Sequence, residues 1–230
     1  MRSAFILAIG FVFASLVISV PVMAQDPLLD WGPSCFGWET DYSGHISNPG
    51  SELTIYGRID TFYDPLGDLD PDLVEYTFVF EGLTSLGTAV IGGMIYETDY
   101  TDGTFKIYAD VTPDFDFGVF PPNATAPSSF VDGDLVLEGT MANFHVFLID
   151  TGAPPGATGT MTADWECTGG TLSNLLLGCG GPVLGTWTDD PDVVPIPQGY
   201  TNHTDGKFDL LYCPPTPAKM STWGLIKSIY

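Results

Sequence analysis

Apolar and polar residues alternate along most of this chain, in one segment after another. A period of two is typical of β-strands that bury one face. Clusters of Gly, Pro, Asp and Asn separate the segments, as at Asp102-Gly103 and Asp205-Gly206, and such clusters are typical of turns. About nine or ten strands at this spacing predict an all-β fold, either an antiparallel β-sandwich or, as the alternative, a closed antiparallel β-barrel. The alternating segments begin at Leu53, Val74, Ala89, Phe105, Leu135, Phe144, Met161, Leu184 and Phe208.

Two of these segments share a pattern with a glycine at its centre. Residues 53–62 and 135–144 both read L-x-[IL]-x-G-x-[IM]-x-x-F. A glycine inside a strand lets another backbone or a large aromatic ring approach closely. We therefore expect Gly57 and Gly139 to have a packing role.

The start of the chain predicts export. Arg2 gives a short positive start, residues 4–20 are almost unbroken apolar, and Ala24 ends a small-residue cleavage site. We interpret residues 1–24 as a cleaved signal peptide. The alternative, a retained N-terminal anchor, is disfavoured because the apolar stretch is short and no basic flank follows it. The predicted location is therefore extracellular, cell-surface or periplasmic.

The rest of the chain is organised as one domain with a tail. We assign residues 25–217 to a single β domain and residues 218–230 to a C-terminal tail. Helical patterns are nearly absent, and only residues 221–230 predict a short helix, with Ser221 or Thr222 as its N-cap.

Composition supports a packed domain and excludes some partners. Hydrophobic residues make up 44% of the chain and charged residues only 15%, which argues against a disordered acidic protein. Signal cleavage would remove one basic residue and no acid, so the formal net charge changes from −23 to −24. Such a charge repels phosphate backbones and anionic lipids. We therefore expect no nucleic-acid partner and no electrostatic attachment to acidic membranes. We also expect no membrane span after cleavage, because the apolar C-terminal segment lacks the length and the basic flank of one.

Four cysteines in an exported chain predict two disulfides. Three pairings are possible on paper, and we favour Cys167 with Cys179 and Cys35 with Cys213. The first closes a short loop worth roughly 3 kcal/mol in the chain-entropy model, and the second joins both ends of the domain for roughly 5 kcal/mol. The rival use, a zinc site, would need a C-x-x-C pair or clustered histidines, and the sequence has neither.

An acidic loop between the first two predicted strands is a candidate calcium site. Calcium takes several oxygen ligands from a chain that curls around it. The loop is no EF-hand, because Leu73 replaces the required glycine and Val79 the final glutamate. The rival interpretation is an ordinary solvated loop. The candidate ligands are Asp64, Asp68, Asp70, Asp72 and Glu75.

Catalytic chemistry has little support in the sequence. Three histidines, His45, His145 and His203, lie far apart in the chain, and neither a Gly-x-Ser-x-Gly elbow nor an H-E-x-x-H pair occurs. Two carboxylates suffice for a glycosidase, and Glu166 beside Trp165 is the most suggestive acid. We keep a secreted carbohydrate-active hydrolase as an alternative but assign no catalytic residue.

Exposed aromatic rings offer a flat apolar face to a sugar or a partner surface. Trp187 and Tyr200 flank the Pro-rich segment 189–199, which we expect to hold them near solvent. We therefore predict these two residues as candidate ligand-binding residues. The expected function is a secreted or cell-surface, non-catalytic structural or binding module for a glycan or a surface protein, with a calcium-stabilised adhesion module as a further alternative.

Overall fold

The computed structural model describes residues 26–118, 128–152 and 156–213. The predicted signal peptide and the predicted tail lie outside the described residues. Within them the chain forms eleven strands, the short helix α1 (Ser173–Leu176) and a 3₁₀ turn at Ser128–Phe130. The strands are β1 (Asp26–Glu39), β2 (Tyr42–Ser43), β3 (Ile46–Ser47), β4 (Glu52–Phe62), β5 (Glu75–Ile91), β6 (Ile95–Tyr100), β7 (Gly103–Asp110), β8 (Asp134–Ile149), β9 (Thr158–Gly169), β10 (Gly180–Thr188) and β11 (Asn202–Leu210).

The main sheet closes on itself as an eight-stranded antiparallel barrel. β4 pairs with β5, β8 to β11 pair in chain order, and β1 pairs with both β4 and β11 to complete the circle. β6 and β7 together fill one position, because β5 and β8 are long enough to pair with both. β2 and β3 form a separate small hairpin. The all-β prediction is confirmed, with the closed barrel found in place of the sandwich.

The two ends of the barrel carry different loops. The upper rim is the end at which β1, β5, β8 and β10 finish, and it carries the loops 40–51, 92–94 and 189–201 together with residues 150–152 and 156–157. The lower rim carries residues 63–74, 111–118, 128–133, 170–179 and 211–213.

Aromatic side chains fill the barrel interior. Trp31, Phe78, Phe80 and Phe208 are all almost completely buried, and the ring of Trp31 lies 5.3 Å from that of Phe78. Phe208 in turn stacks on Trp165 with ring centroids 5.3 Å apart. An eight-stranded barrel has an interior just wide enough to be filled by side chains. The interior is therefore a packed core.

The expected packing role of the two central glycines is confirmed. Gly57 lies directly across from Phe78, and Gly139 directly across from Phe105. A Cβ atom at Gly57 would come within 2.5 Å of the Phe78 ring, and one at Gly139 within 2.4 Å of the Phe105 ring. Each glycine thus makes room for a cross-strand aromatic ring.

A second, smaller aromatic cluster covers part of the outside of the barrel. Phe36, Tyr56 and Val79 point outward from β1, β4 and β5 and pack against residues of two long loops. One loop contributes Phe130, and the other contributes Tyr200, whose hydroxyl donates to the carbonyl of Phe117 at 3.1 Å. Both loops are therefore anchored on the barrel wall.

The disulfide pairing expected from the sequence is wrong. Cys179 is bonded to Cys213, while Cys35 and Cys167 are free and buried. The segment after β11 continues alongside β10 towards the start of that strand, where Tyr212 bridges to Gly180 and so brings Cys213 to Cys179. Cys35 instead points from β1 into the core, and its expected partner, Cys213, is bonded to Cys179.

Candidate functional site

A groove of about 680 Å³ crosses the outer surface of the barrel at the upper rim. Its floor consists of outward-facing side chains of β8, β9, β10 and β11, and Val193 and Val194 of the 189–201 loop form part of its lining. The floor side chains are Phe147, Ile149, Thr158, Thr160, Thr186, Thr188, His203 and Asp205.

Threonine hydroxyls and apolar carbons share this groove. Thr158 pairs across strands with Thr188, and Thr160 with Thr186, so four threonines form a two-by-two array. Three of them are exposed, and Thr188 is buried with its hydroxyl donating to the carbonyl of Ala157 at 3.0 Å. The array offers hydroxyl donors and acceptors beside the apolar side chains of the groove.

His203 adds a hydrogen-bond acceptor to the floor. Its Nε2 lies 3.0 Å from the carbonyl oxygen of Pro33, and a carbonyl only accepts, so Nε2 carries the proton. Burial lowers the pKa of His203 below its ordinary value of 6.5, which favours the neutral ring. In the neutral ring Nδ1 then has a free lone pair.

A cluster of polar side chains, the His45 cluster, joins three loops of the upper rim beside this groove. His45 has a left-handed backbone with φ of 67°. Its Nδ1 lies 2.5 Å from Oδ2 of Asp189, and its Nε2 lies 3.6 Å from Oδ2 of Asp150. The Tyr42 hydroxyl also donates to Asp189 at 2.6 Å, and the Ala157 amide donates to its other oxygen at 2.8 Å. The cluster fixes the start of the 189–201 loop, which borders the groove.

A buried carboxyl group lies at the end of β1 near the same rim. Glu39 is only 2% exposed and accepts hydrogen bonds from the hydroxyls of Ser47 and Tyr100. Burial raises the pKa of Glu39 above its ordinary value, and the two hydroxyl donors only partly oppose this. This group joins the β2–β3 hairpin to the barrel.

The expectation that Trp187 and Tyr200 face solvent is wrong. Trp187 points into the barrel and is 1% exposed, and Tyr200 packs in the outer aromatic cluster at 8%. Both rings are therefore covered by protein, although Trp187 is among the residues that line the groove. Both residues are nevertheless next to or within the 189–201 loop, which borders the groove. The threonine array was missed, although the alternating T-x-T-x-T of residues 158–162 was the signal that could have revealed it.

The acidic loop 63–74 holds most of the predicted calcium ligands. Asp70 accepts the amide of Asp72 at 2.9 Å, which is a local turn, whereas Glu75 is 4% exposed and faces the amides of Asp114 and Phe115. Asp64 and Asp68 are exposed on the same loop.

Another acidic trio is more tightly gathered than the predicted calcium ligands. Among the described residues, Asp110, Asp114 and Asp132 form the one group whose ligand atoms all lie within 4.8 Å of one another. These residues belong to the lower rim and include none of the predicted ligands. Calcium binding by the 63–74 loop and Glu75 stays a prediction.

The three histidines remain apart. His145 pairs with Asp99 at 2.8 Å on the outer surface, away from the His45 cluster and from His203. Asp205 is the one carboxyl group among the described residues that line the groove. A glycosidase needs two carboxyl groups that flank the scissile bond, so the groove gives no support to the hydrolase alternative.

No known family model, no curated protein and no solved structure matches this chain. Within the parts of the chain that the structure describes, no helix has the length and apolar character needed to cross a membrane.

Proposed function

We propose that this protein is an exported, non-catalytic binding module whose upper-rim groove takes a neutral, hydroxyl-rich ligand of the saccharide class. The observation that carries the proposal is the threonine array, with Phe147 and Ile149 beside it in the same groove. Sugars present hydroxyl groups at their edges and C–H groups on their faces. A groove with hydroxyls and apolar carbons side by side suits both.

Charge supports a neutral ligand. The formal net charge of −23 disfavours anionic ligands at any open surface of the molecule. Asp205 and the free Nδ1 of His203 are acceptors for ligand hydroxyls, whereas Thr160 and Thr186 both donate and accept. Saccharide hydroxyls supply the donors that such a set of acceptors requires.

A rigid frame supports binding without a large conformational change. The floor is formed by four paired strands, and Asp189 of the His45 cluster begins the loop that borders one side. Binding sites on rigid elements keep their geometry better than sites on free loops. We therefore assign His45 a positioning role for the loop that contains Val193.

Export is part of the proposal and has its own test. Residues 1–24 carry the features of a cleaved signal, and cleavage would leave Gln25 as the first residue. N-terminal sequencing of the protein recovered from the medium or the cell surface should start at Gln25. Recovery from the cytosol with Met1 in place would contradict export.

The binding test uses an array of neutral oligosaccharides, followed by calorimetry with the saccharide that binds. Thr160→Val keeps the shape and removes one hydroxyl, so we expect about a threefold to tenfold loss of affinity. Phe147→Ala removes apolar surface and should weaken binding by about tenfold or more. The matched control is Thr104→Val, which changes an exposed β7 threonine outside the groove. The proposal fails if the array shows no binding or if Thr160→Val and Thr104→Val bind alike.

A further inference from the structure

Three of the four cysteines lie in one row at the lower rim: Cys167 in β9, Cys179 directly before β10, and Cys213 after the end of β11. Glu166 of β9 lies opposite Gly180 of β10 in the last pair of that ladder, and Cys167 and Cys179 are the next residues along the two segments. The Cys167 amide donates to the Cys179 carbonyl at 2.9 Å, and the Cys167 carbonyl accepts from the Gly178 amide at 2.9 Å. Cys167 therefore lies beside the Gly178–Cys179 step. On the other side Gly180 bridges to Tyr212, which places Cys213 opposite Cys179.

Cys179 is therefore the middle member of the row and has a cysteine on each side. Residues directly opposite each other in regular antiparallel strands have Cβ atoms about 4.5–5.5 Å apart, whereas a disulfide needs a Cβ separation of about 3.5–4.5 Å. Because Cys167 lies beside the Gly178–Cys179 step, a bond between Cys167 and Cys179 requires a local shift of that step. Cys179 is bonded to Cys213, and Cys167 remains a free thiol.

We propose that this row is a thiol–disulfide exchange site. The Cys167 thiolate attacks Sγ of Cys179, a new bond forms between these two sulfurs, and the bond from Cys179 to Cys213 breaks. Cys213 leaves as a thiolate and takes up a proton in place of the one that Cys167 released. One disulfide is lost and one is gained, so the step needs no oxidant or reductant.

Exchange moves the free thiol from the interior to the surface. Cys167 is 1% exposed, whereas Cys213 is exposed and precedes the Pro-rich segment 214–217. The product therefore presents an accessible thiol just before the Pro-rich segment 214–217. That thiol is a covalent attachment point for a thiol-reactive partner, and the segment after β11 loses its covalent link to Cys179.

The fourth cysteine provides a matched control. Cys35 is also free and fully buried, but it lies on β1, whose partners are β4 and β11. It is therefore outside the row and takes no part in the exchange. Burial shields both free thiols from reagents and raises their pKa, so both resist direct alkylation in the folded protein. For the same reason the Cys167 thiolate is scarce near neutral pH, so the exchange is slow there and speeds up as the pH rises.

Tryptic peptides distinguish the two disulfide pairings. Cleavage after Lys106, Lys207 and Lys219 places Cys167 and Cys179 on peptide 107–207 and Cys213 on peptide 208–219. The folded full-length protein is incubated with N-ethylmaleimide and freed of excess reagent, then denatured in isotopically heavy maleimide and digested without reduction. In the starting state the two peptides are linked by the disulfide.

With time we expect light label on peptide 208–219 and an unlabelled, internally bonded peptide 107–207. Cys167→Ser should slow light labelling of Cys213 by at least about tenfold, and Cys35→Ser should leave it unchanged. If peptides 107–207 and 208–219 of the unaltered protein stay linked throughout, the proposal is overturned. This result does not depend on whether the variant folds. Light label on Cys167 itself, or equal labelling of Cys213 in the Cys167→Ser variant, would also overturn it.

Discussion

The close contact between Gly57 and the ring of Phe78 gives a sharp stability prediction. A Cβ at residue 57 would lie 2.5 Å from two ring atoms of Phe78 and 2.9 Å from Sγ of Cys35. Carbon atoms in contact are about 3.5–4.0 Å apart, so the ring would have to move by roughly 1 Å. Trp31 and Phe80 hold it, with ring centroids 5.3 and 4.7 Å away.

Gly57→Ala should therefore destabilise the fold by about 2–3 kcal/mol, near the upper end of the range for overpacked cores. For a domain of this size the melting temperature should fall by about 4–12 °C. The assay is urea unfolding followed by tryptophan fluorescence, with thermal melts beside it. Gly67→Ala is the control, because Gly67 is exposed on a loop and its new Cβ would meet first an Asp64 side-chain oxygen at 3.2 Å.

A double-mutant cycle tests the reason for the effect. Phe78→Leu shortens the side chain that the new methyl group meets, so Gly57→Ala with Phe78→Leu should be less destabilising than the sum by at least about 1 kcal/mol. At Gly139 the rescue should fail with Phe105→Leu, because the new Cβ would also lie 2.0 Å from the backbone oxygen of Glu166. Additive effects at Gly57 would refute the reasoning.

Three further predictions concern the titratable groups of the barrel. Glu39→Gln should raise the free energy of unfolding more at pH 8 than at pH 4, as measured by urea unfolding. The pKa of Glu39 is raised in the folded state, so the stability that this carboxyl group contributes is lost as the pH rises through that pKa, whereas glutamine does not titrate. An equal effect at both pH values would contradict this. The melting temperature should also fall as the pH drops below 6.5. The pKa of His203 is lowered in the folded state, so the unfolded state binds the proton first. His203→Gln should make the melting temperature depend less on pH in this range. His45→Ala should leave Asp189 without its closest ring partner, lower the melting temperature, and speed limited proteolysis of the 189–201 loop; unchanged proteolysis would remove the positioning role.

The alternating pattern predicted most strands, and backbone irregularities account for the main errors. Residues 135–137 and 144–149 were separate segments in the sequence, but they form one strand, β8, with a register shift near Asn143, where φ is 53°. β1 was missed because Gly32-Pro33 is typical of a turn. In the structure Pro33 lies within a register irregularity of β1, where its missing N–H is tolerated.

The choice between sandwich and barrel could not be made from periodicity. Both folds alternate inward and outward residues in the same way. The deciding contact is the pairing of β1 with β11, for example Phe36 with His203, which joins residues from opposite ends of the domain. Asp205-Gly206 was expected as a turn and lies inside β11 instead, because that strand starts at Asn202.

The candidate site could be predicted only in part. The sequence pointed to the loop after Trp187, but the ring itself is buried because outward and inward positions alternate and Trp187 occupies an inward one. The cysteine pairing depends on the path of the chain after β11, which brings Cys213 to Cys179. Loop-closure entropy ranks pairings by loop length alone and says nothing about that path. The groove collects side chains from four strands, and the T-x-T-x-T pattern of residues 158–162 marks only the contribution of β9.

Chemical-shift mapping tests the proposed binding groove most directly. Isotope-labelled protein is titrated with the neutral oligosaccharide that binds on the array, and amide shifts are followed by solution NMR. The account predicts the largest shifts at residues 158–160 and 186–188 and at Val193. Shifts centred on the lower rim, or no saccharide that moves any amide of the groove, would contradict it.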